Sequence, residues 1–240
     1  MAGKKLPAIT DWIKESLQIY FKRENLIYLT KFALLQLLLT GLLFLGMFLL
    51  FGTSDFASFE NADGPSFDEI LTFLPAIVIG LLVFLILNLW LAAATLNAVA
   101  QVVGGKILGV KETLKIGARR MFVYLILSVL TSLIVIFGMV LLIIPGLIFI
   151  VWFYFAQFYV LVEGLGPIES LKKSRNIVRG NFWPISGRIV VSMVYALTIS
   201  ILISLALLPL LQTIISVLIT PYLSMVTYLL FRDVKRLKAS

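Results

Sequence analysis

Long stretches without a charged residue dominate the chain and indicate its architecture. Four runs lack Asp, Glu, Lys and Arg: residues 32–54, 70–105, 121–162 and 189–231, with lengths of 23, 36, 42 and 43. A helix rises about 1.5 Å per residue and a bilayer core is about 30 Å thick, so one span needs about 20 residues. The first run therefore predicts one transmembrane helix, and each of the last two runs predicts two.

Proline and glycine mark the expected turns inside the two longest runs. Pro145 and Gly146 lie near the middle of the third run, and Pro209 lies near the middle of the fourth. Proline ends or kinks a helix because it lacks a backbone N–H and its ring clashes with the preceding turn. We expect each helical hairpin to reverse at these residues.

The run 70–105 is long for one helix and short for two, so charge placement decides its interpretation. If it is one span, all 20 Lys and Arg fall on the side of the two termini. The loop 55–69, on the other side, then holds five acidic residues and no basic one. This distribution follows the positive-inside rule, whereas two spans would export the basic cluster of residues 106–120. The sequence predicts an all-α, polytopic transmembrane bundle of six spans with both termini in the cytoplasm.

Composition agrees with a chain that is surrounded mostly by lipid. Charged residues make up 13% of the chain, whereas soluble domains contain about 25%. The chain has no Cys and no His, which excludes disulfides, thiol nucleophiles and the commonest metal ligand. We predict a single integral membrane domain over residues 1–240, with no catalytic residue, no metal and no cofactor.

The net charge of +8 raises the question of nucleic acid binding. The basic residues form short clusters between apolar runs instead of one patch, so we place them at membrane flanks and predict no nucleic acid partner. No secretory signal is expected, because the first long apolar run begins near residue 32 and has no small-residue cleavage site. The expected location is the cell (cytoplasmic) membrane, as a multi-pass protein.

A short sequence motif, here called the recurring phrase, occurs three times in the segments outside the spans. Glu, then Ser or Thr, then Leu occurs within residues 13–17, 110–114 and 167–171. We interpret this as a threefold repeat, in which each unit is an interfacial amphipathic helix followed by a transmembrane hairpin. The alternative is that any cytoplasmic loop favours these residue types. The units would cover approximately residues 9–105, 106–165 and 166–240.

The third copy has the clearest pattern of an amphipathic helix. Gly166 and Pro167 would open this helix, and Gly180 would end it. Its apolar stripe is predicted to consist of Ile168, Leu171 and Val178.

The opposite face of this helix is basic. Lys172, Lys173, Asn176 and Arg179 are predicted to point away from the apolar stripe. A helix of this kind lies in the headgroup layer with its cations near lipid phosphates. We predict contact with anionic phospholipids through Lys172, Lys173, Arg175 and Arg179.

Amides inside the uncharged runs are candidates for a polar interior. Asn97 and Gln101 are four residues apart and share one helix face, and Gln157 lies in a later run. These side chains could line a polar path through the bundle. The alternative is close helix packing, since Asn97 belongs to a seam with the small residues Ala93 and Ala100.

Glu163 directly follows the third uncharged run, at its predicted cytoplasmic end. This carboxylate could bind a cation, or it could pair with Arg175 or Arg179. We expect pairing.

A set of residues between positions 144 and 183 resembles a known family. These residues are Ile144, Pro145, Gly146, Glu163, Gly166, Pro167, Ser170, Leu171, Ser174 and the run Arg179, Gly180, Asn181, Phe182 and Trp183. They resemble the membrane domain of glycerophosphoryl diester phosphodiesterases and related uncharacterised six-helix prokaryotic membrane proteins. Some members carry a separate catalytic barrel with His and acidic residues. This chain has no His, so the resemblance implies only a membrane module of undetermined role.

Two classes of function remain for such a chain. The leading hypothesis is a non-enzymatic membrane scaffold, anchor or regulatory module, in contact with the lipid bilayer and with a partner protein or a second copy of itself. The alternative is a transporter or lipid translocator for a neutral or amphipathic substrate, using Asn97, Gln101 and Gln157 as polar contacts. An intramembrane enzyme ranks third, because Glu163 is the only plausible acid.

Overall fold

The computed structural model describes residues 6–52, 67–206 and 209–239. Within these ranges the regular structure is helical, as the uncharged runs predict. The helices are α1 (Ile9–Tyr20), α2 (Arg23–Gly52), α3 (Phe67–Gly104), α4 (Val110–Leu141), α5 (Ile143–Phe153), α6 (Ala156–Leu161), α7 (Pro167–Val178), α8 (Phe182–Ala206) and α9 (Pro209–Ala239).

Six helical stretches in the described residues are long and apolar enough to cross a membrane, and they confirm the predicted number of spans. The run 70–105 lies in one helix, α3, whose 38 residues extend over about 57 Å. This length exceeds the apolar core of a bilayer, so α3 continues beyond it. The spans are Arg23–Leu43, Leu74–Gly104, Val110–Leu141, Ile143–Leu161, Phe182–Leu205 and Leu211–Lys238. The chain is a multi-pass membrane protein.

The first predicted hairpin turn lies slightly earlier than expected. The chain reverses at Leu142, which has extended backbone angles, instead of at Pro145 and Gly146. Pro145 lies in the first turn of α5. Backbone N–H groups there have no partner within the helix, so the missing N–H of proline costs no hydrogen bond. Gly146 lies where α5 packs closely against α4. A Cβ atom at this position would come within 2.9 Å of the backbone nitrogen of Met139. Pro209 begins α9, at the second predicted turn.

Contacts between distant segments bring the basic clusters to one end of the bundle, here called the basic end. Arg232 of α9 contacts Glu15 of α1 with two hydrogen bonds of 2.8 and 3.0 Å. Arg188 of α8 donates to the carbonyl oxygens of Leu6 and Pro7. Both described ends of the chain therefore lie at the basic end. Most of the predicted acidic loop, residues 55–66, lies outside the described residues. Its last residues, 67–69, form the start of α3.

The packed core lies in the half of the bundle near the basic end. Helix α9 is central there and packs against α1, α2, α3, α7 and α8. Its fully buried side chains include Met225, Leu229 and Leu230, and they join Phe32 of α2 and Phe158 of α6 in one cluster. Towards the opposite end, large apolar side chains are exposed along the spans. These surfaces face lipid acyl chains.

Helices α1 and α7 are short amphipathic helices at the basic end, separate from the spans. Helix α1 buries Trp12, Ser16 and Tyr20, which are spaced four residues apart along one face. The Tyr20 hydroxyl donates to the carbonyl oxygen of Leu218, and burial raises the pKa of the phenol, which stays a neutral donor.

The second copy of the recurring phrase forms no separate helix. Residues 110–114 are the first turns of α4, which continues without a break to Leu141. The linker of residues 105–109 precedes α4, and its last residue, the N-cap Gly109, has extended backbone angles. Residues 110–114 are therefore continuous with the membrane-spanning helix and do not form a separate interfacial helix. The threefold repeat itself stays a prediction.

Candidate functional site

Helix α7 begins and ends where the sequence predicts. Gly166 is its N-cap with extended backbone angles, and Pro167 occupies the first helical position. Gly180, just beyond the C-cap Arg179, has a φ of 98°, a conformation that strains any residue with a Cβ atom. The helix is therefore bounded on both sides by its local sequence.

One face of α7 is buried against α4, α5, α6 and α9. The prediction that Leu171 and Val178 belong to this face is confirmed. The prediction for Ile168 is wrong, because its side chain is 62% exposed. Buried serines take its place: Ser170 and Ser174 are small enough to bring α7 close to the spans.

Ser174 fixes α7 to the break between α5 and α6. Its hydroxyl donates to the carbonyl oxygen of Trp152 at 2.6 Å and accepts from the backbone N–H of Phe155 at 3.2 Å. The break leaves these backbone groups without helical partners, so a buried hydroxyl that pairs with both holds the two elements together. Hydrophobic periodicity does not reveal this role. The only sequence signal for Ser174 is its place in the family resemblance.

The four predicted lipid-contact residues all lie on the exposed face of α7, here called the α7 basic face: Lys172, Lys173, Arg175 and Arg179. The guanidinium carbon of Arg175 lies 4.5 Å from the ring centre of Trp152, so this cation is held over an aromatic face. Lys173 Nζ lies 3.6 Å from the Glu169 carboxylate. Within the described residues, Lys172 and Arg179 form no ion pair, and their charges are available to other partners.

Exposed apolar side chains lie beside these cations. Ile168 shares a stripe with Lys172, Arg175 and Arg179, because the spacings of four, three and four residues return to the same side of a helix. Trp183, at the start of α8, is 81% exposed. Basic and apolar side chains together are typical of a helix that contacts both headgroups and the upper part of the acyl chains.

Glu163 forms an ion pair, but not with the predicted partners. Lys235 Nζ of α9 lies 2.5 Å from Glu163 Oε1. The Arg175 guanidinium lies over the Trp152 ring and Arg179 is exposed, while α9 packs beside α7. The pairing therefore joins two segments 72 residues apart. Their proximity results from how the helices pack and not from the local sequence.

Gln101 is the centre of a hydrogen-bonded cluster near the basic end. Its side-chain oxygen accepts from the hydroxyls of Tyr28 and Thr113 and from the backbone N–H of Leu108, at 3.0 to 3.2 Å. These contacts join α2, α3, α4 and the linker before α4. Asn97 is buried and donates to the carbonyl oxygen of Ala93 in its own helix, at 2.8 Å. Gln101 therefore joins several helices, whereas the Asn97 hydrogen bond stays within α3.

Gln157 lies apart from the other two amides and faces open space. It lines a cavity of about 500 Å³ between α2, α3 and α9, and a second of about 330 Å³ between α4, α5 and α6. No described residue forms a hydrogen bond with its carboxamide. The structure therefore does not bring the three predicted interior amides into one site; of the three, Gln157 is the one that borders these two cavities.

Acidic residues do not converge in the described part of the chain. No group of three or more Asp, Glu, His or Cys side chains is close enough there to hold a metal ion. Ion pairs at the basic end that join distant segments include Glu163 with Lys235 and Glu15 with Arg232.

Comparison with known proteins gives one match. A family model described as a domain of unknown function (DUF7847) matches residues 67–234, from the start of α3 into α9. No curated protein and no solved structure matches the chain. These findings are consistent with an uncharacterised membrane family, but they give no support to the resemblance to glycerophosphoryl diester phosphodiesterase membrane domains.

Proposed function

Because the chain belongs to the DUF7847 family, whose function is unknown, we propose from the geometry of α7 that it is a non-enzymatic membrane module. Its α7 basic face binds anionic phospholipids in the cytoplasmic leaflet of the cell membrane. The observation that carries this proposal is the exposure of Lys172, Lys173, Arg175 and Arg179 on one side of a helix whose other side is fixed to the bundle.

The position of α7 relative to the spans supports contact with headgroups. Ser174 ties α7 to the break between α5 and α6, inside the span Ile143–Leu161, and α8 begins as a membrane span four residues after Val178. Trp152 and Trp183, which flank the helix in space and in sequence, are the residue type that is enriched at membrane–water boundaries. Because α7 leads within four residues into the span α8, we infer that its C-terminal end lies near the depth of the lipid phosphates.

The expected strength of this contact follows from charge. A basic side chain near an anionic membrane surface contributes about 1 kcal/mol, and the attraction is screened over about 10 Å at 0.1 M salt. Residues that are already paired contribute less, so Lys173, which lies near Glu169, is the weakest of the four. A preference for anionic over zwitterionic lipid that weakens with salt is therefore expected.

The test uses energy transfer from a single fluorophore on α7 to labelled lipids. The chain has no native cysteine, so Asn176→Cys, on the exposed surface of the helix, carries the donor without background. The protein is reconstituted in vesicles that contain a trace of acyl-labelled phosphatidylglycerol or phosphatidylcholine. We expect stronger transfer to phosphatidylglycerol, and loss of this preference when Lys172, Lys173, Arg175 and Arg179 are all replaced by Gln.

A matched variant separates the α7 basic face from the overall positive charge. Lys14, Lys106, Lys111 and Lys238 are also exposed at the basic end, and replacing them by Gln removes the same number of charges. The preference for phosphatidylglycerol should largely survive in this control. An equal loss in both variants, or no loss in either, contradicts a specific role for α7.

One observation favours a second candidate function, a transporter or lipid translocator for a neutral or amphipathic substrate. Gln157 borders both cavities and has no hydrogen-bond partner in the described residues. A polar group at the boundary between two cavities is what a path across the bundle needs. Thiol labelling at position 157, described below, tests whether water reaches it.

A further inference from the structure

The larger cavity lies within the membrane-spanning part of the bundle, between α2, α3 and α9. Its volume of about 500 Å³ is within the range of small-molecule sites in proteins, about 300–1,000 Å³. On α3, Asn88 lies about 24 Å from the helix end at Gly104, and on α9, Thr227 lies about 8 Å from Arg232. The cavity therefore extends from near the basic end to about the middle of the bilayer.

The polar groups of this cavity are mainly hydrogen-bond acceptors. The hydroxyls of Thr95, Thr220, Ser224 and Thr227 each donate to a carbonyl of their own helix, so only their lone pairs remain for a ligand. Pro221 cannot donate to the carbonyl oxygen of Val217, four residues earlier, and both residues line the cavity. A ligand that offers hydroxyl or N–H donors would complement these groups.

Two amides at the wall have different environments. Gln36 of α2 donates to the side-chain oxygen of Asn88 of α3, which in turn donates to the carbonyl oxygen of Phe84. This pair fixes one side of the cavity. Gln157, on the other side, is unpaired within the described residues and can both donate and accept.

No charged residue lines the cavity among the described residues. The rest of the wall is apolar and includes Phe32, Leu89 and Leu96. A charged ligand would have no counter-ion in this environment, and burying an unpaired charge there costs several kcal/mol. The ligand is therefore uncharged.

The cavity opens towards lipid and not only towards the bundle. Of its lining residues, Leu85 is 52% exposed, and Ala92 and Thr220 are also exposed on the outer surface of α3 and α9. At this depth the outer surface contacts acyl chains. A membrane lipid can therefore insert its polar part into the cavity from the side, while its acyl chains stay in the bilayer.

We propose that this cavity binds the headgroup of an uncharged, hydroxyl-bearing lipid of the diacylglycerol type. The free hydroxyl donates to the acceptors on α9, and Gln157 pairs with the ester region. The site is separate from the α7 basic face, and it deepens the second candidate function by naming a ligand. The experiment below measures lipid binding without transport, so the binding site and the transport function can fail independently.

Photolabelling of the full-length protein in vesicles tests the proposal. The probe is a diacylglycerol with a diazirine near the glycerol, and a phosphatidylglycerol with the same chains serves as the charged counterpart. The diacylglycerol probe should label residues 85–96 of α3 and 217–227 of α9, and unlabelled diacylglycerol should compete. Gln157→Leu and Thr220→Val should each lower labelling about five-fold, as expected for one lost hydrogen bond.

A matched control isolates the cavity. Thr198, like Thr220, is exposed and donates to the carbonyl four residues earlier in its own helix, but it does not line the cavity. Thr198→Val should therefore leave labelling unchanged, and both Thr variants should fold alike. Equal labelling in all variants overturns the site. Equal labelling of the same residues by the phosphatidylglycerol probe overturns the uncharged ligand.

Discussion

Gly117 of α4 lies so close to Ala94 of α3 that a Cβ atom at position 117 would come within 2.9 Å of the Ala94 Cβ. Real Cβ atoms do not approach so closely, and the nearest atoms at this crossing belong to the Ala94 backbone and its own Cβ, which cannot turn aside. The α3–α4 hairpin thus requires the absence of a side chain at this position.

Replacing Gly117 with Ala should destabilise the protein. Overpacking in a rigid contact costs about 1–3 kcal/mol, which corresponds to a decrease of several degrees in apparent melting temperature. Thermal unfolding of the purified protein in detergent, followed by circular dichroism, measures this. Gly41→Ala is the matched control, since nothing lies within 4 Å of a Cβ there. If both variants melt like the wild type, the described α3–α4 contact is wrong.

Glu15→Ala should release α1 from the bundle. Glu15 accepts two hydrogen bonds from the Arg232 guanidinium, whose Nε–H also donates to Asp233 at 2.9 Å. Arg232 is 19% exposed and Glu15 39%, so partial screening limits the expected loss to about 1–2 kcal/mol. We expect a lower melting temperature and faster tryptic cleavage at Lys14.

The exposed pair at the start of α2 is the control for this experiment. Lys22 and Glu24 are 66% and 76% exposed at a separation of 3.7 Å. An ion pair of this kind contributes little, so Glu24→Ala should change the melting temperature by no more than the measurement error. Equal effects of the two substitutions would mean that α1 is not held by the Glu15–Arg232 contact.

Thiol labelling at position 157 decides the second candidate function. Gln157→Cys, Asn97→Cys and the reactive control Asn176→Cys are treated with a small membrane-impermeant reagent in vesicles. A water-filled path predicts that position 157 reacts, while position 97, which is 6% exposed, stays protected. Protection of position 157 beside a reactive position 176 excludes the path.

The spans were predictable because each depends on local composition. Uncharged runs of known length, and basic residues on one side, are enough to give six helices and a single long α3. The bounds of α7 were predictable for the same reason, since Gly166, Pro167 and Gly180 act within one turn of the helix ends.

Contacts between helices were not predictable from one sequence. Glu163 pairs with Lys235 because α9 passes beside the end of α6, and no local pattern records that proximity. The exposure of Ile168 has a related cause: Ser170 and Ser174 make the close contact, so the buried face is rotated from the apolar stripe. The cavity amides Gln36 and Asn88 meet across two helices for which the sequence gives no register.

The central claim is that the exposed face of α7 lies at the depth of the lipid headgroups. A spin label on Ile168→Cys, one turn before Lys172 on the same side of α7, reports this depth without removing a charge. In vesicles that contain phosphatidylglycerol, its accessibility to lipid-soluble oxygen is compared with its accessibility to a water-soluble nickel chelate. Leu202→Cys, 60% exposed on the span α8, and Lys238→Cys, near the end of α9, give the lipid and water references.

We predict an intermediate ratio for Ile168→Cys, nearer to the lipid reference, which moves towards the water reference when Lys172, Lys173, Arg175 and Arg179 are replaced by Gln. A ratio equal to that of Lys238→Cys, unchanged by those substitutions, would show that α7 faces the cytoplasm and would contradict the account.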